Sequence, residues 1–427
     1  MNRITRRRAC KTLATLTAFP FVSGRSAGQG ASGLPPVRTI TRGPRRHWFG
    51  YYDKLEFDPM NRFVLANEVE FEHRTPTADD TIRVGMVDTS DGDRWIELGK
   101  SRAWGWQQGC MLQWRPGSAS EVVWNDREGD RHVCRVLNVR TGAGRTLPRP
   151  VYALSNDGRW AVTADFSRIQ RMRPGYGYVG LSDPCAAERG PAESGVWRMD
   201  METGESDLVF SLAEAARIDH EGQSLADHWH WFNHLLVSPD STRFIVLHRW
   251  RASTGSGPDA EPTGGFTTRL FTLAMDGSDR FILDPSGATS HFIWRDPEHV
   301  CAWTRPAGMP AGFYVFRDQT REVEPVGAGV MTENGHNTYV RGTDNEWILN
   351  DTYPDRTKRE QKPYLYHVPS GRKVALGRFQ SPPAYTGEWR CDTHPRCSND
   401  GRIVAIDSPH GGAGRQVHLI DIGGLIG

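Results

Sequence analysis

The sequence predicts an all-β fold, a seven-bladed β-propeller, and three observations support this prediction. A turn rich in Pro, Asp, Asn and Gly, flanked by apolar or aromatic residues, recurs seven times along the 427 residues. A second turn signal also recurs seven times, between the copies of the first. Long amphipathic helical patterns are nearly absent. A pair of β-sandwiches would not explain both series, whereas two hairpin turns per repeat are typical of antiparallel four-stranded blades.

The first turn series marks the start of each predicted blade. Consecutive copies are about 57 residues apart on average, the length of a four-stranded blade with some longer loops. Strand-like runs, such as residues 62–66 and 243–247, follow the turns. The copies begin at Phe57, Trp114, Leu154, Val237, Trp294, Val340 and Cys397.

The second turn series predicts a further hairpin inside each blade. Its copies begin at Val87, Val139, Met201, Met275, Phe316, Val368 and Ile420. Only Ser211–Ile218 is predicted as a helical turn or two, inside an insertion of the third blade. Because closing the ring hides the sheet edges, we expect Val37–Ile40 to complete the last blade.

Charge and hydropathy exclude two classes of partner. The chain has 52 Lys and Arg against 51 Asp and Glu, so its formal net charge of +1 supplies no field for collecting nucleic-acid phosphates. After the N-terminus, no apolar run approaches the roughly 18 residues of a membrane-spanning helix. We therefore expect neither nucleic-acid binding nor membrane insertion.

The N-terminus predicts export. Arg6-Arg7-Arg8 precedes a mildly apolar stretch over residues 12–22 and a segment of small residues near 24–33. This order is typical of a twin-arginine-like signal peptide, predicted over residues 1–30, with a basic tail as the alternative. The propeller is predicted over residues 37–427, in the periplasm or outside the cell. Its six cysteines contain no CxxC pair, which argues against a thiolate metal cluster and leaves disulfide pairing open.

Four histidines stand at equivalent positions of consecutive predicted blades, three or four residues before the first turn of each blade. Inner strands of a propeller line its channel, so equivalent positions should converge there. A half-ring of imidazoles suits metal binding, general base catalysis or both, and repeat-derived structural histidines are the alternative. These residues are His234, His291, His336 and His394.

Further polar and aromatic residues are candidates for the same opening. Glu388 and Asp392 precede His394, and Arg249 and Arg269 lie in outer strands of the fourth predicted blade. An arginine among apolar residues often has a specific partner or function. Aromatic residues near the mouths, as in the segment 47–53, are candidate platforms for sugar rings, although blade packing explains most tryptophans better.

Four motifs together resemble the oligogalacturonate lyase family of propeller polysaccharide lyases, which has ulvan lyases among its relatives. They are Trp48–Asp53, Thr289–Trp294, Asn334–His336 and Asp392–Pro395. The resemblance extends from about residue 38 to the end. It implies cleavage of uronic-acid oligosaccharides by β-elimination, with a divalent metal that is typically manganese, or else zinc or calcium.

The resemblance also implies roles for individual residues. His291 matches the base, and Arg269 matches the arginine that neutralises the substrate carboxylate, with Arg249 as the competing candidate. His336 and His394 match metal ligands. The family's His-Pro-His pair is His394-Pro395-Arg396 here, so one histidine ligand is missing. The residues that could complete the metal site are Asp392, Glu388 and His234, and the candidates for substrate contact are His234, His47, Tyr52 and Tyr339.

Two other functions fit parts of the pattern. A non-catalytic periplasmic propeller that binds a protein or glycan would need no polar ring in its channel. A propeller glycoside hydrolase would need two carboxylates flanking the scissile bond, about 5–9 Å apart. The repeated position carries histidine, which favours the lyase.

Overall fold

Runs of β-branched and aromatic residues between Gly-, Asp- and Asn-rich turns form the strands of this chain. The computed structural model describes residues 33–255 and 260–426. Seven antiparallel four-stranded sheets follow one another in a ring, so the predicted seven-bladed β-propeller is confirmed. The first strand along the chain is β1 (Val37–Thr39).

The first four blades are consecutive in sequence. Blade 1 contains β2 (Arg46–Trp48), β3 (Phe63–Val69), β4 (Ile82–Asp88) and β5 (Arg94–Ser101). Blade 2 contains β6 (Gln113–Trp114), β7 (Glu121–Glu128), β8 (Arg131–Asn138) and β9 (Gly144–Leu147). Blade 3 contains β10 (Ala153–Leu154), β11 (Trp160–Thr163), β12 (Gly195–Asp200) and β13 (Ser206–Ser211). Blade 4 contains β14 (Trp229–Val237), β15 (Arg243–Arg251), β16 (Thr267–Ala274) and β17 (Phe281–Asp284).

The remaining blades complete the ring. Blade 5 contains β18 (Phe292–Asp296), β19 (His299–Thr304), β20 (Gly312–Arg317) and β21 (Val323–Val326). Blade 6 contains β22 (Thr338–Tyr339), β23 (Trp347–Asn350), β25 (Tyr364–His367) and β26 (Arg372–Ala375), and β24 (Glu360–Gln361) pairs separately with β27 (Phe379–Gln380). Blade 7 contains β28 (Arg396–Cys397), β29 (Ile403–Ser408), β30 (Gln416–Asp421) and β1.

Both turn series lie where the sequence predicts hairpins. Every copy of the first series connects the first and second strands of a blade. Copies of the second series connect the third and fourth strands, except the one at Ile420, which follows the last strand of the chain. There β1 supplies the fourth strand, with Val37 opposite Ile420, so the predicted closure of the ring is confirmed.

Two short helices interrupt the sheets. In α1 (Phe166–Met172), the Asp165 side chain caps the first turn, and in α2 (Leu212–Ala216), Ser211 and Glu214 form a reciprocal capping box. The predicted helical turn is α2, although it follows the last strand of blade 3; the sequence analysis missed α1, which lies between β11 and β12. A 3₁₀ turn spans Gly387–Trp389.

The cysteines and the N-terminus complete the comparison with the sequence. Cys110, Cys134, Cys185, Cys301, Cys391 and Cys397 are free thiols. The predicted signal over residues 1–30 lies outside the described residues. Within the described part of the chain, no helix is both long and apolar enough to cross a membrane.

Candidate active site

Three of the four repeated histidines form a row at the centre of the ring. The ring centroids of His291 and His336 are 4.4 Å apart, and those of His336 and His394 are 4.3 Å apart. All three residues are buried and stand one or two positions before the inner strands β18, β22 and β28. Equivalent positions of three blades therefore bring these side chains into contact.

Two adjacent tyrosines connect the fourth histidine to this row. The Tyr51 ring lies 4.8 Å from His234 and 5.3 Å from His394, and the Tyr52 ring lies 5.9 Å from His291. The four histidines thus surround one tyrosine pair.

The backbone at two of the histidines adopts an uncommon conformation. His234 has a φ of +50° and lies where the register shifts between β14 and β15, and His394 has a φ of +39°. Positive φ is unusual for residues other than glycine, and such strain often occurs at functional sites. A bulge also redirects a side chain relative to its neighbours on the strand.

Asp351 determines which nitrogen of His336 is available. The His336 ring Nδ1 lies 2.9 Å and 3.1 Å from the two carboxylate oxygens of Asp351, and Thr393 donates to the same carboxylate. A carboxylate accepts, so Nδ1 carries the proton and Nε2 keeps its lone pair. This is the arrangement in which a histidine ligand is oriented by a carboxylate behind it. The sequence analysis missed Asp351.

His336, Asp392 and His394 can hold a metal ion. One ligand atom from each lies within 4.8 Å of the other two. The Asp392 Oδ1 and His394 Nε2 atoms are buried without a hydrogen-bond partner among residues 33–255 and 260–426, although Arg390 donates to the second oxygen of Asp392 at 2.7 Å. Burial, followed by the nearby His336, lowers the pKa of His394 well below its ordinary value, so the imidazole is neutral. Two imidazoles and a carboxylate suit manganese or zinc better than calcium.

Arg396 and Glu388 interact with residues outside the group formed by His336, Asp392 and His394. Arg396 donates to both carboxylate oxygens of Glu56 at 2.9 Å and to Asp407 at 3.0 Å. Its guanidinium is therefore part of a buried ion cluster and cannot replace a third histidine ligand. Glu388 accepts a hydrogen bond from Thr75 at 2.6 Å and lies outside the His336, Asp392 and His394 group.

His291 is held as a neutral base. Its Nδ1 lies 2.9 Å from the Asn334 Oδ1, and the Asn334 amide donates to Ser290, which leaves that oxygen facing the ring. Nδ1 is therefore the donor, and the Nε2 lone pair lies 3.3 Å from the Tyr353 hydroxyl. Burial, followed by the nearby His336, lowers the pKa of His291 well below its ordinary value.

Tyr353, rather than Tyr339, lies beside the histidine row. The sequence analysis missed Tyr353 because it lies in a loop after β23, without a repeat signal. Tyr339 lines a cavity of about 350 Å³, together with Lys54 and Arg341, which none of the four histidines lines. Burial raises the pKa of Tyr353 above its ordinary value, so its hydroxyl keeps its proton.

The other side chains predicted to contact the substrate form hydrogen bonds within the protein. The Tyr52 hydroxyl donates to the Phe292 carbonyl at 2.9 Å. His234 Nε2 lies 3.0 Å from Asp53, and its side chain is completely buried. His47 belongs to a network between blades 1 and 7, and its ring nitrogens lie 3.0 Å from Glu68 and Gln416.

The two candidate arginines lie on opposite faces of the blade 4 sheet. Arg269 pairs across the strands with His248, the neighbour of Arg249, and successive side chains of a strand point to opposite faces. Arg269 donates to the His248 ring and to the carbonyls of Ala215 and Asp219, at 2.8–3.2 Å. Its guanidinium is thus engaged away from the histidine row.

Arg249 points to the opposite face of the sheet from Arg269, and Tyr51 is among the groups that influence its pKa. It is 3% exposed, and among the described residues only its Nε has a hydrogen-bond partner, Thr268, at 3.2 Å. Its Nη1 is buried, with no partner in that part of the chain. Burial, followed by the positive charge of Arg173, lowers its pKa to about 9, while Tyr51 acts in the opposite direction. Arg249 is thus buried although it lies near the end of β15.

Comparisons with known proteins identify the fold. No protein-family model and no curated protein sequence matches the chain. The oligogalacturonate lyase of Vibrio parahaemolyticus is 12% identical, with 90% of this chain and 93% of that chain covered and a TM-score of 0.60. An oligogalacturonate lyase in complex with manganese is 14% identical, with 92% and 95% covered and a TM-score of 0.62.

Propellers of other activities are also similar to this chain. A puromycin-hydrolysing peptidase of Mycobacterium tuberculosis is 13% identical, with 87% of this chain and 52% of that chain covered and a TM-score of 0.50. The molecule is therefore a seven-bladed propeller with a group of side chains able to bind a metal at its centre. More particularly, it shares the fold of the oligogalacturonate lyases over nearly its whole described length, as the motif resemblance implies.

Proposed function

We propose that residues 37–427 form a polysaccharide lyase that cleaves uronic-acid-containing oligosaccharides by β-elimination. One observation carries this proposal. His291 is a neutral imidazole whose Nε2 lone pair lies 3.3 Å from the Tyr353 hydroxyl, next to the His336, Asp392 and His394 group. A base, an acid and side chains for a metal thus lie together.

In the proposed step, His291 Nε2 removes the proton from carbon 5 of the uronide. The electron pair of that C–H bond becomes the double bond between carbons 4 and 5, and the bond from carbon 4 to the leaving oxygen breaks. Tyr353 gives its proton to that oxygen. A positioned base or acid of this kind typically contributes about 10²–10⁴-fold to the rate.

The proton at carbon 5 becomes acidic only when the developing enediolate charge is stabilised. Arg249 is the candidate for neutralising the substrate carboxylate, because its buried Nη1 has no partner in the described part of the chain. A divalent metal, manganese by resemblance or zinc, would add Lewis-acid stabilisation when bound. His336, Asp392 and His394 would hold it.

Ultraviolet absorbance tests this proposal, because elimination forms an unsaturated product and hydrolysis does not. The protein is incubated with a panel of uronide oligomers and manganese, and absorbance and reducing ends are measured together. We expect both to rise, and we expect His291→Ala to lower kcat about 10²-fold or more with little change in KM.

His418→Gln is the matched control, because His418 is an equally buried histidine in blade 7, bonded to Thr39 and the Ser408 carbonyl. It should retain activity. Reducing ends without absorbance would instead identify a hydrolase, and binding without any cleavage would identify a non-catalytic glycan-binding propeller.

We also propose that the protein is exported to the periplasm or secreted. The support is the arginine triplet Arg6-Arg7-Arg8 ahead of a mildly apolar stretch. Fractionation of a bacterial host that expresses the full chain should recover a shortened protein outside the cytoplasm. The double variant Arg7→Lys, Arg8→Lys should keep the full-length protein inside, and unchanged export would contradict a twin-arginine-like signal.

A further inference from the structure

The central channel of the propeller contains a second cavity, beyond the row of histidines. It is the cavity of about 350 Å³ that Tyr339 lines. Four of its wall residues stand two positions after the four repeated histidines, on the inner strands of blades 4 to 7. They are Leu236, Ile293, Thr338 and Arg396. Since a strand rises about 3.3 Å per residue, the cavity begins about 7 Å from the histidines, towards the opposite end of the channel.

Tyr52 separates this cavity from the proposed active site. Its ring lies 5.9 Å from the His291 ring, and the same residue lines the cavity. From Tyr52 the chain continues along the cavity wall to Phe57. Tyr353, Arg249 and the four histidines do not line it. A ligand in the cavity would therefore lie apart from the groups proposed for catalysis.

A buried ammonium group borders the cavity. Lys54 is 6% exposed and is the only lysine of the described residues that is buried. Its Nζ lies 3.0 Å from Asp53 Oδ1, yet neither atom has a hydrogen-bond partner among residues 33–255 and 260–426, so this ion pair is not aligned as a hydrogen bond. Burial lowers the pKa of Lys54, and Asp53 acts in the opposite direction. An ammonium carries three N–H donors, and burying them unsatisfied costs free energy.

A second buried donor lies at a similar depth. Thr338 is 9% exposed, and its Oγ1 is buried without a hydrogen-bond partner in the described part of the chain. Thr338 stands two residues before the first turn of blade 6, and Lys54 stands three residues before the first turn of blade 1. Because equivalent positions of the blades reach similar depths in the channel, both groups lie at the inner end of the cavity.

The carboxylates of the cavity wall already have partners. Both Glu56 oxygens accept hydrogen bonds from Arg396 at 2.9 Å. The second oxygen of Asp53 lies 3.0 Å from His234 Nε2. At the outer end, the exposed side chain of Arg341 also lines the cavity. Positive groups thus stand at both ends, which favours a negatively charged ligand.

We propose that this cavity binds a small phosphate ester, with its phosphate at Lys54 and Thr338 and the rest of the molecule extending towards Arg341. A phosphate offers three acceptor oxygens, and lysine binds it as a point charge. Leu236 and Ile293 supply apolar walls for the organic part, and about 350 Å³ is within the range of small-molecule sites. The inference does not rest on the proposed lyase activity, because no group of the proposed reaction lines the cavity.

Binding calorimetry on metal-free protein tests this site. Removal of metal prevents phosphate from binding to an ion held by His336 and His394. The probes are inorganic phosphate, glycerol phosphate and, as an anion without phosphorus, succinate. We expect glycerol phosphate to bind more tightly than either of the other two.

Two substitutions in the cavity and one outside it localise the binding. Lys54→Met removes the charge but keeps the length of the side chain, so glycerol phosphate should bind about tenfold more weakly or worse. Thr338→Val keeps the shape and removes the hydroxyl, so the affinity should fall about three- to tenfold. Lys100→Met is the matched control, because Lys100 is exposed on β5 and does not line the cavity. It should keep the affinity within about twofold.

The thermal midpoint of each variant verifies folding, and Thr338→Val decides the matter if Lys54→Met does not fold. Inorganic phosphate that binds at least as tightly as glycerol phosphate would overturn the ester and assign the site to free phosphate. The site itself is overturned by absence of phosphate binding, by unchanged affinity in the folded cavity variants, or by tighter binding of succinate. No cleavage is measured, so failure of the lyase proposal would leave these outcomes unaffected.

Discussion

At the scale of single residues, hydrogen bonds select the nitrogen that each central histidine presents. Asp351 holds the proton of His336 on Nδ1, and Asn334 does the same for His291. Both rings therefore present an Nε2 lone pair. The same atom is suited to binding a metal in one case and to removing a proton in the other, and the different neighbours distinguish the two uses.

Replacement of Asp351 should weaken metal binding without unfolding the protein. Asp351→Asn keeps the shape but weakens the orientation of His336, so we expect manganese affinity to fall about 10–100-fold. Asp88→Asn is the control, because Asp88 is also a buried carboxylate, bonded to Arg62 and Ser90 in blade 1. Calorimetric titration of metal-free protein measures both. Equal manganese affinities in the two variants would show that Asp351 does not contribute to metal binding.

Lysine substitutions should distinguish the two arginines of blade 4. Arg249→Lys keeps the charge but loses the planar fork, so kcat and KM should both worsen on a free uronide. Its preference for the free acid over the methyl ester should fall about tenfold. Arg269→Lys should keep that preference because its donors are bound to His248 and backbone carbonyls. The reverse result would indicate that Arg269, and not Arg249, neutralises the substrate carboxylate.

At the scale of elements, closure of the ring depends on the residues around β1. Ile40 follows this strand, is 1% exposed, and its amide donates to the Val417 carbonyl at 3.0 Å. Its side chain belongs to a core between blades 7 and 1 that includes Val64 and Leu419. Packing of one residue thus contributes to the contact that joins the two ends of the chain.

Truncation of Ile40 should therefore destabilise the propeller. Ile40→Ala removes buried methyl groups and leaves a cavity, so the free energy of unfolding should fall by about 2–5 kcal/mol. Val37→Ala is the matched control, because Val37 lies on β1 but is 40% exposed, and its effect should stay within about 0.5 kcal/mol. Urea unfolding followed by tryptophan fluorescence measures both. Similar losses in the two variants would contradict a core role for Ile40.

At the scale of the whole molecule, buried histidines make stability depend on pH. Burial lowers the pKa of His132, His230 and His418 to about 4. In the unfolded chain these groups protonate near about 6.5, so the unfolded state binds more protons as the pH falls. The folded state should be favoured fully above pH about 6.5 and lose stability progressively down to about 4.

Substitution of His132 should reduce this acid sensitivity. The ring contacts Tyr178 edge-on, and its Nε2 has no hydrogen-bond partner among the described residues. His132→Gln therefore removes a group that takes up a proton readily only in the unfolded chain. We expect the loss of unfolding free energy between pH 7 and 4.5 to shrink by about 1–3 kcal/mol in the variant. Urea midpoints at the two pH values measure this difference. An identical loss in both proteins would show that His132 does not contribute.

The sequence by itself determined the number of blades, the strand that closes the ring and the equivalent positions of the four histidines in their blades. These features follow from local periodicity, because each hairpin is built from neighbouring residues and equivalent positions of successive blades meet at the channel. The motif at His394, by its resemblance to the family's His-Pro-His pair, likewise predicts Arg396 in place of a histidine ligand. All of this information is contained in short segments.

The tertiary structure alone decided which side chains complete the site. Arg396 pairs with Glu56, which is 340 positions away in sequence, and Tyr353 reaches His291 from a loop of the next blade. Arg249 and Arg269 lie on opposite faces of their sheet because the strand register determines the face to which each side chain points. Such contacts depend on the packing of distant loops and on the register of the strands, which the spacing of the turns alone does not specify.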